Sequence, residues 1–210
     1  MKTAVLGDEI TMEKSSSQND SAVIGRIFQF KIILDGIKPP IWRRIQVSER
    51  ITLHTLHIVI QNVMGWEDRH LYEFNHEGAR FTAIEVDSEE ESLAANTESI
   101  RLKDLHLKKG ATISYVYDFG DYWSHEIILE EFPSIDPAQA YPVCISGARA
   151  CPPEDCGGLP GYEELLEALS HPKHPEHEEM KRRLHRKFNP ELFETEKVNQ
   201  ELRNEFTPGV

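Results

Sequence analysis

The sequence predicts an α+β fold, an antiparallel-rich sheet with one main packed helix and a C-terminal helical segment. Short segments rich in β-branched and aromatic residues alternate apolar and polar positions, as half-buried strands do. Turn residues join these segments in pairs, which is typical of antiparallel neighbours. One segment between the second and third strands instead repeats its apolar residues at helical spacing. The predicted element order is therefore ββα-ββ-ββ.

The first half of the chain predicts a hairpin followed by the main helix. Residues 27–34 and 41–47 alternate as strands, and Asp35-Gly36 with Pro39-Pro40 mark the turn between them. Thr52 is a suitable helix N-cap, and Gly65 is a suitable C-terminal stop. Between them the expected buried face consists of Leu53, Leu56, Ile60, Val63 and Met64.

The second half predicts two more strand pairs and then helices. Segments 71–75 and 80–84 form a hairpin, and 85–99 is an acidic exposed loop. Segments 111–117 and 123–132 are strands, and a loop rich in Cys, Pro and Gly follows over 133–160. Helices are expected from Tyr162 and over about 176–187.

The domain organisation follows from where apolar periodicity begins and ends. Residues 1–24 are polar and aperiodic, which predicts a disordered tail. Residues 25–193 are expected to form a single α+β domain, and 194–210 a charged C-terminal extension.

Composition limits the classes of function. The 210 residues include 23 Lys and Arg against 36 Asp and Glu, a formal net charge of −13. Proteins that bind the nucleic-acid backbone need a basic face, so direct nucleic-acid binding is not expected. We expect a protein partner instead. No apolar run is long enough for a membrane span, and no secretory signal is recognisable. An odd count of three cysteines fits the reducing cytoplasm.

The cysteine-containing loop is a candidate zinc site. Cys144, Cys151 and Cys156 supply soft thiolate donors, and structural zinc usually takes four Cys or His ligands. The fourth ligand is expected to be His125, or else His171 or His174. Two alternatives remain: three reduced thiols in ordinary positions, or a redox pair.

A second candidate site is the segment from Asp118 to His125. Asp118 and Asp121 offer oxygen ligands for a divalent cation, and His125 offers acid–base chemistry. A tight turn at Gly120, in which the two aspartates cap backbone amides, explains the same residues. The two aspartates together with Glu154 and Asp155 also suit a hydrolytic metal centre.

Two adjacent arginines on the second strand provide a third candidate. Arg43 and Arg44, next to Trp42, offer contacts to an anion. Because neighbouring strand residues point to opposite faces, they do not form one patch, and an ion pair with the acidic surface is the expected role.

Three ordered motifs resemble a known family. They are Pro40-Ile41-Trp42-Arg43-Arg44 with Leu53-x2-Leu56-His57-x2-Ile60-Gln61-x2-Met64-Gly65-Trp66 and His70-Leu71-Tyr72-x-Phe74; Tyr115-x-Tyr117-Asp118-Phe119-Gly120-Asp121-x-Trp123-x-His125; and Cys144-x2-Gly147-x-Arg149-x-Cys151-Pro152-Pro153-Glu154-Asp155-Cys156-Gly157-Gly158-x2-Gly161-Tyr162. Over residues 26–193 the chain resembles the family named for the third open reading frame of a root-inducing (Ri) plasmid, also known as passenger or resolvase-like proteins of insertion elements. The resemblance implies a compact α+β domain on plasmids and mobile elements, with no established reaction.

The function expected from these observations is a non-enzymatic cytosolic accessory or interaction module of plasmid or mobile-element type, stabilised by zinc at the cysteine loop. The alternative is a metal-dependent, nuclease-like phosphodiester hydrolase that uses Asp118, Asp121, His125 and Glu154. A further alternative is a regulator that acts on DNA through a partner.

Overall fold

The α+β prediction is confirmed by a computed structural model, which describes residues 25–83, 94–184 and 188–206. The strands are β1 (Ile27–Leu34), β2 (Ile41–Ser48), β3 (Tyr72–His76), β4 (Ala79–Thr82), β5 (Ala95–Asn96), β6 (Thr112–Tyr117), β7 (Trp123–Glu131) and β8 (Val143–Ala148). The helices are α1 (Leu53–Met64), α2 (Gly158–Ser170), α3 (His177–Arg183) and α4 (Thr195–Phe206), with a 3-10 turn at Leu102–Leu105.

The strands form one sheet in the order β5-β4-β3-β6-β7-β1-β2-β8. All neighbours are antiparallel except β4 and β5, which are parallel. The apolar strand β1 lies between β2 and β7, with Phe30 opposite Ile45 on one side and Leu129 on the other. Its position explains why six of its eight residues are buried.

The main helix α1 begins and ends where the sequence predicts. Thr52 Oγ1 accepts a hydrogen bond from Thr55 N at 3.0 Å, which is an N-cap contact. Gly65 ends the helix in the left-handed conformation, with φ +88°. The predicted apolar face is buried at all five positions, Leu53, Leu56, Ile60, Val63 and Met64.

Three elements depart from the prediction. The loop predicted over 133–160 contains strand β8, which pairs with β2 along the sheet edge. The acidic loop predicted over 85–99 ends in strand β5 beside β4, while residues 84–93 lie outside the described ranges. Helix α3 ends at Arg183, earlier than predicted. The short strands β5 and β8 show little apolar periodicity in sequence. Their strand conformation therefore depends on pairing with β4 and β2.

The chain after residue 194 contains helix α4, which packs on β8 and α1 and buries Leu202. The side chain of Asn199 forms two hydrogen bonds with the edge strand β8. Its Oδ1 accepts from Cys144 N at 2.7 Å, and its Nδ2 donates to Cys144 O at 2.9 Å. Asn199 thus satisfies backbone groups that an edge strand leaves unpaired. The predicted tail at 1–24 lies outside the described residues.

None of the helices in the described part of the chain combines the length and apolar character needed to cross a membrane.

We predict that Asn199→Ala lowers the free energy of unfolding by about 1–2 kcal/mol, because it leaves a largely enclosed N–H and C=O of Cys144 without partners. Urea unfolding measures the change. Asn204→Ala is the matched control on the same helix, where the exposed amide contacts only Gln200, and we expect it to change stability by less than about 0.5 kcal/mol. Equal effects of the two substitutions would contradict the edge-capping role.

Candidate metal centre

Three side chains from separate segments bring metal-ligating atoms together. His70 precedes β3, Asp118 follows β6, and Asp155 precedes α2; their donor atoms all lie within 4.8 Å of one another. His70 Nε2 is 3.0 Å from Asp155 Oδ1 and 3.7 Å from Asp118 Oδ2. Within residues 25–83, 94–184 and 188–206, this is the one group of three or more His, Cys, Asp or Glu donors so placed.

Glu154 lies next to this group. Its Oε2 lies 4.0 Å from His70 Nε2. That oxygen is buried and has no hydrogen-bond partner in the described part of the chain, and His70 Nε2 likewise forms no hydrogen bond there. The Glu154 side chain is only 10 % exposed. We call His70, Asp118, Glu154 and Asp155 the donor cluster.

Two carboxylates of the donor cluster are oriented by hydrogen bonds to one oxygen each. Asp118 Oδ1 accepts from Gly120 N at 2.8 Å, while its Oδ2 faces His70. Glu154 Oε1 accepts from Tyr117 OH at 2.9 Å and from Glu67 N at 2.8 Å, while its Oε2 faces His70. Hydrogen bonds of this kind orient the carboxylate ligands of metal sites and leave the second oxygen for the ion.

The segment that leads into His70 is held by side chains at each backbone amide. The three amides donate as follows: Glu67 N to Glu154, Asp68 N to Gln61, and Arg69 N to Tyr117 OH. This irregular segment between α1 and β3 therefore has a defined path, which places the His70 ring at the donor cluster.

His57 supports the same segment from the core. Its Nε2 lies 2.7 Å from Asp68 Oδ1 and its Nδ1 lies 2.7 Å from Tyr115 OH, while its ring stacks on Tyr72 at 3.6 Å between centroids. Burial lowers the pKa of His57 to about 4, although the hydrogen bond that its ring forms to Asp68 opposes the shift. His57 is therefore a neutral, structural histidine at pH 7.

Backbone strain concentrates around the donor cluster. Asp68, Asp118, Tyr122 and Asp155 all have positive φ, between 53° and 57°. Non-glycine residues rarely adopt this conformation, and such residues gather at functional sites. Two donors, Asp118 and Asp155, are themselves held in this way.

Close backbone approaches explain two glycines in the first turn of α2. A Cβ on Gly161 would lie 1.9 Å from the carbonyl oxygen of Cys156. A Cβ on Gly158 would lie 2.7 Å from the carbonyl oxygen of Asp121. Only glycine at position 158 lets the start of α2 approach the turn after β6 this closely, next to Asp155 and Asp118.

The donor cluster carries an excess of negative charge. Apart from His70, no described side chain forms a salt bridge with Asp118, Glu154 or Asp155. The nearby Arg69 is paired with Glu67. Exposure differs strongly across the cluster: the Asp118 side chain is 9 % exposed and that of Asp155 61 %, so one side faces solvent.

Comparison with protein families matches residues 26–197 to the model of the plasmid pRiA4b ORF-3-like protein. The chain belongs to this family. The match spans most of the sheet, α1, α2, α3 and all four residues of the donor cluster.

Two other proteins are similar to this pRiA4b ORF-3-like chain. It is 35 % identical over 158 residues to the uncharacterized protein y4hQ of Sinorhizobium fredii (strain NBRC 101917 / NGR234), which covers 75 % of this chain and 80 % of the relative. A crystal structure of a protein of unknown function, MM3350 from Methanosarcina mazei Go1, superimposes with a TM-score of 0.75 at 36 % identity, covering 82 % of this chain and 97 % of that one.

The structure brings together two of the four residues considered for the hydrolase alternative. Asp118 and Glu154 belong to the donor cluster. Asp121 lies beside it, where its Oδ2 accepts from Gly157 N at 3.1 Å. His125 is buried elsewhere, against the rings of Trp66 and Tyr115, and both of its ring nitrogens lack hydrogen-bond partners in the described residues.

Sequence reasoning did not identify His70 as a donor, whereas it did group Asp155 with Asp118, Asp121 and Glu154. His70 lies in the family motif His70-Leu71-Tyr72-x-Phe74, and Asp155 lies beside Glu154 in the cysteine loop. A signal was therefore present, but nothing in the sequence places these motifs side by side.

The three cysteines occupy different environments. Cys144 Sγ donates to Ser146 O at 3.6 Å, Cys151 Sγ lies 3.1 Å from Met64 Sδ, and Cys156 is partly buried beside Asp155. Burial raises the pKa of Cys144 and Cys151 to about 11 and that of Cys156 to about 12, so the thiols are protonated. None of them joins His125 in a group of three donors among the described residues. Zinc at Cys144, Cys151, Cys156 and His125, or with His171 or His174, stays a prediction.

The two adjacent arginines separate as the sequence predicts. Arg44 pairs with Glu130 through Nε at 2.6 Å and Nη2 at 2.8 Å. Arg43 lies on the other face of the sheet, where it is 1 % exposed and donates to Val63 O, Ala148 O and Cys151 Sγ. Burial lowers the pKa of Arg43 from its usual value, although the two nearby cysteines oppose the shift.

We predict that stability falls as the pH is lowered from about 6.5 towards 4. Burial lowers the pKa of His57 and His125 to about 4, whereas a histidine in the unfolded chain titrates near about 6.5. The unfolded state therefore binds more protons in this window, and acid favours it. The ring nitrogens of His125 form no hydrogen bond in the described residues, so His125→Leu breaks none. This substitution should remove about 2 kcal/mol of the decrease in stability between pH 7 and pH 4.5.

Urea unfolding at several pH values measures this effect. The exposed His171 provides the control, since His171→Gln should keep the full pH dependence of the wild type. A His125→Leu variant that retains it too would show that His125 is not held neutral by burial.

Proposed function

We propose that this protein is an accessory protein of plasmid and mobile-element type that contacts a partner through a face organised by a divalent metal ion. The ion is held by His70, Asp118 and Asp155, with Glu154 as a fourth donor. The observation that carries the proposal is the free oxygen of Glu154, buried without a hydrogen-bond partner in the described residues and aimed at His70.

The energetic argument rests on charge. A buried carboxylate oxygen without a partner costs free energy, and neighbouring like charges add to that cost. A divalent cation between His70 Nε2 and the free oxygens of Asp118, Glu154 and Asp155 offsets both costs. No described lysine or arginine performs that role.

The donor set favours particular metals. One imidazole nitrogen with several carboxylate oxygens suits zinc or manganese, whereas calcium prefers oxygen ligands alone. Because Asp155 is 61 % exposed, the side away from the core is open to solvent. Metals that keep an exchangeable position bind an outside group there, whereas structural zinc is closed by four protein ligands.

The cellular setting agrees with a metal held by nitrogen and oxygen. All three cysteines are free, which fits the reducing cytoplasm. We propose zinc as the metal bound at the donor cluster.

We predict that the wild-type chain binds about one zinc or manganese ion, and that His70→Gln and Glu154→Gln each weaken the affinity about 10- to 100-fold. Glu154→Gln can keep the oxygen that accepts from Tyr117 and Glu67 and replaces the free oxygen by an NH₂ group. Competition with a chromophoric chelator measures affinity, and metal analysis measures stoichiometry.

Matched controls separate this site from the others. His171→Gln and Glu130→Gln change the same residue types away from the donor cluster and should leave affinity unchanged. Cys151→Ser tests the cysteine loop. Loss of zinc in Cys151→Ser with retention in His70→Gln would move the metal to that loop and contradict the proposal.

A second candidate function is metal-dependent phosphodiester hydrolysis, because Asp118 and Glu154 converge at a centre with an exposed side. The metal would activate water, and Asp155 would take its proton, since His125 is buried away from the cluster. Release of 4-nitrophenolate from bis(4-nitrophenyl) phosphate with added Mn²⁺ tests it. If the wild type hydrolyses the substrate and Glu154→Gln does not, this activity would replace the proposed accessory role. Equal turnover by the wild type and Glu154→Gln would exclude hydrolysis at the donor cluster.

A further inference from the structure

Three large exposed apolar side chains lie on the segments that carry the donors His70 and Asp118. In the described residues five such side chains are exposed: Leu71 (50 %), Phe119 (51 %), Tyr122 (63 %), Ile145 (44 %) and Leu192 (49 %). Three of them are close in sequence to donors, since Leu71 follows His70, and Phe119 and Tyr122 lie on the turn that begins at Asp118. We call Leu71, Phe119 and Tyr122 the apolar rim.

The fold gives no reason for the apolar rim. Tyr122 is the clearest case, because a bulky aromatic residue at φ +56° is strained and its ring gains little packing at 63 % exposure. An asparagine or glycine would satisfy this turn at lower cost. Strain retained together with exposed apolar area indicates a contact surface.

From this exposure and strain we infer that the apolar rim and the donor cluster together bind a protein segment. The segment carries an aromatic or aliphatic anchor next to lysine or arginine. The inference rests on the proposed function and names the partner of the same site. The anchor packs on Leu71, Phe119 and Tyr122, and the basic side chain lies over Asp155 and its neighbours.

Charge selects a basic partner. The donor cluster has three carboxylates, so a divalent ion leaves it with one negative charge. Asp121 lies beside it, and the whole chain carries −13. A polyanion such as nucleic acid is repelled by this field, whereas a basic segment is attracted to it.

Shape selects a protein segment over a small molecule. Sites for small molecules are concave and enclose most of the ligand. The rim side chains instead stand half or more in solvent, as at a surface that another macromolecule covers. Tyrosine and phenylalanine are also residue types enriched at protein interfaces.

A peptide selection tests the inference. Random 12-residue peptides displayed on phage are panned on the zinc-loaded wild type, after subtraction on a zinc-loaded Phe119→Ser/Tyr122→Asn variant. Asparagine is chosen at 122 because it tolerates the positive φ. Ile145→Ser/Leu192→Ser removes a similar exposed apolar area away from the rim and is the matched control.

We expect enriched peptides with an aromatic or aliphatic residue flanked by lysine or arginine. Their affinity should fall about 10-fold or more in the rim variant and stay within about two-fold in the control variant. Fluorescence anisotropy should detect no binding of a 20-nucleotide single-stranded DNA probe at physiological salt.

Three results would overturn the inference: no peptide that distinguishes the wild type from the rim variant, an acidic consensus, or DNA binding that depends on the rim. Zinc affinity, measured on the same proteins, separates this failure from that of the proposed function. If the wild type and the rim variant bind zinc equally but select no peptide, only the partner assignment falls. If the wild type binds no zinc, the proposed function fails, and this inference with it.

Discussion

Hydrogen bonds to Glu154 Oε1 connect the three segments that form the donor cluster. This oxygen accepts from the hydroxyl of Tyr117 at the end of β6 and from the amide of Glu67 in the segment after α1, while Glu154 itself belongs to the loop before α2. Trp66 adds a second link, because its Nε1 donates to Pro152 O at 3.0 Å. These bonds hold Glu154 so that its free oxygen faces His70.

The same three segments carry the motifs by which the chain resembles its family. The first motif ends at the segment containing Trp66 and His70, the second contains Tyr117 and Asp118, and the third contains Glu154 and Asp155. They are far apart in the sequence and meet in the fold at the donor cluster. The fold therefore brings the three motifs together at one place.

Burial decides the behaviour of the ionisable groups in the core. His125 has no partner in the described residues and stays neutral because it is desolvated, and His57 is neutral even beside Asp68. Arg43 remains among backbone carbonyls and thiols, with its guanidinium 3.9 Å from the ring centroid of Phe193. These groups stabilise the joints between sheet, helix and loop.

The sequence by itself determined the α+β class, both ends of α1, and the opposite directions of Arg43 and Arg44. Each depends on local rules: capping at Thr52 and Gly65, helical spacing, and the alternation of a strand. Only the tertiary structure decided that β8 and α4 complete the sheet edge through Asn199, and that His70 joins Asp118, Glu154 and Asp155. Those contacts join positions tens of residues apart, and periodicity along a chain carries no information about which distant segments its folding brings together.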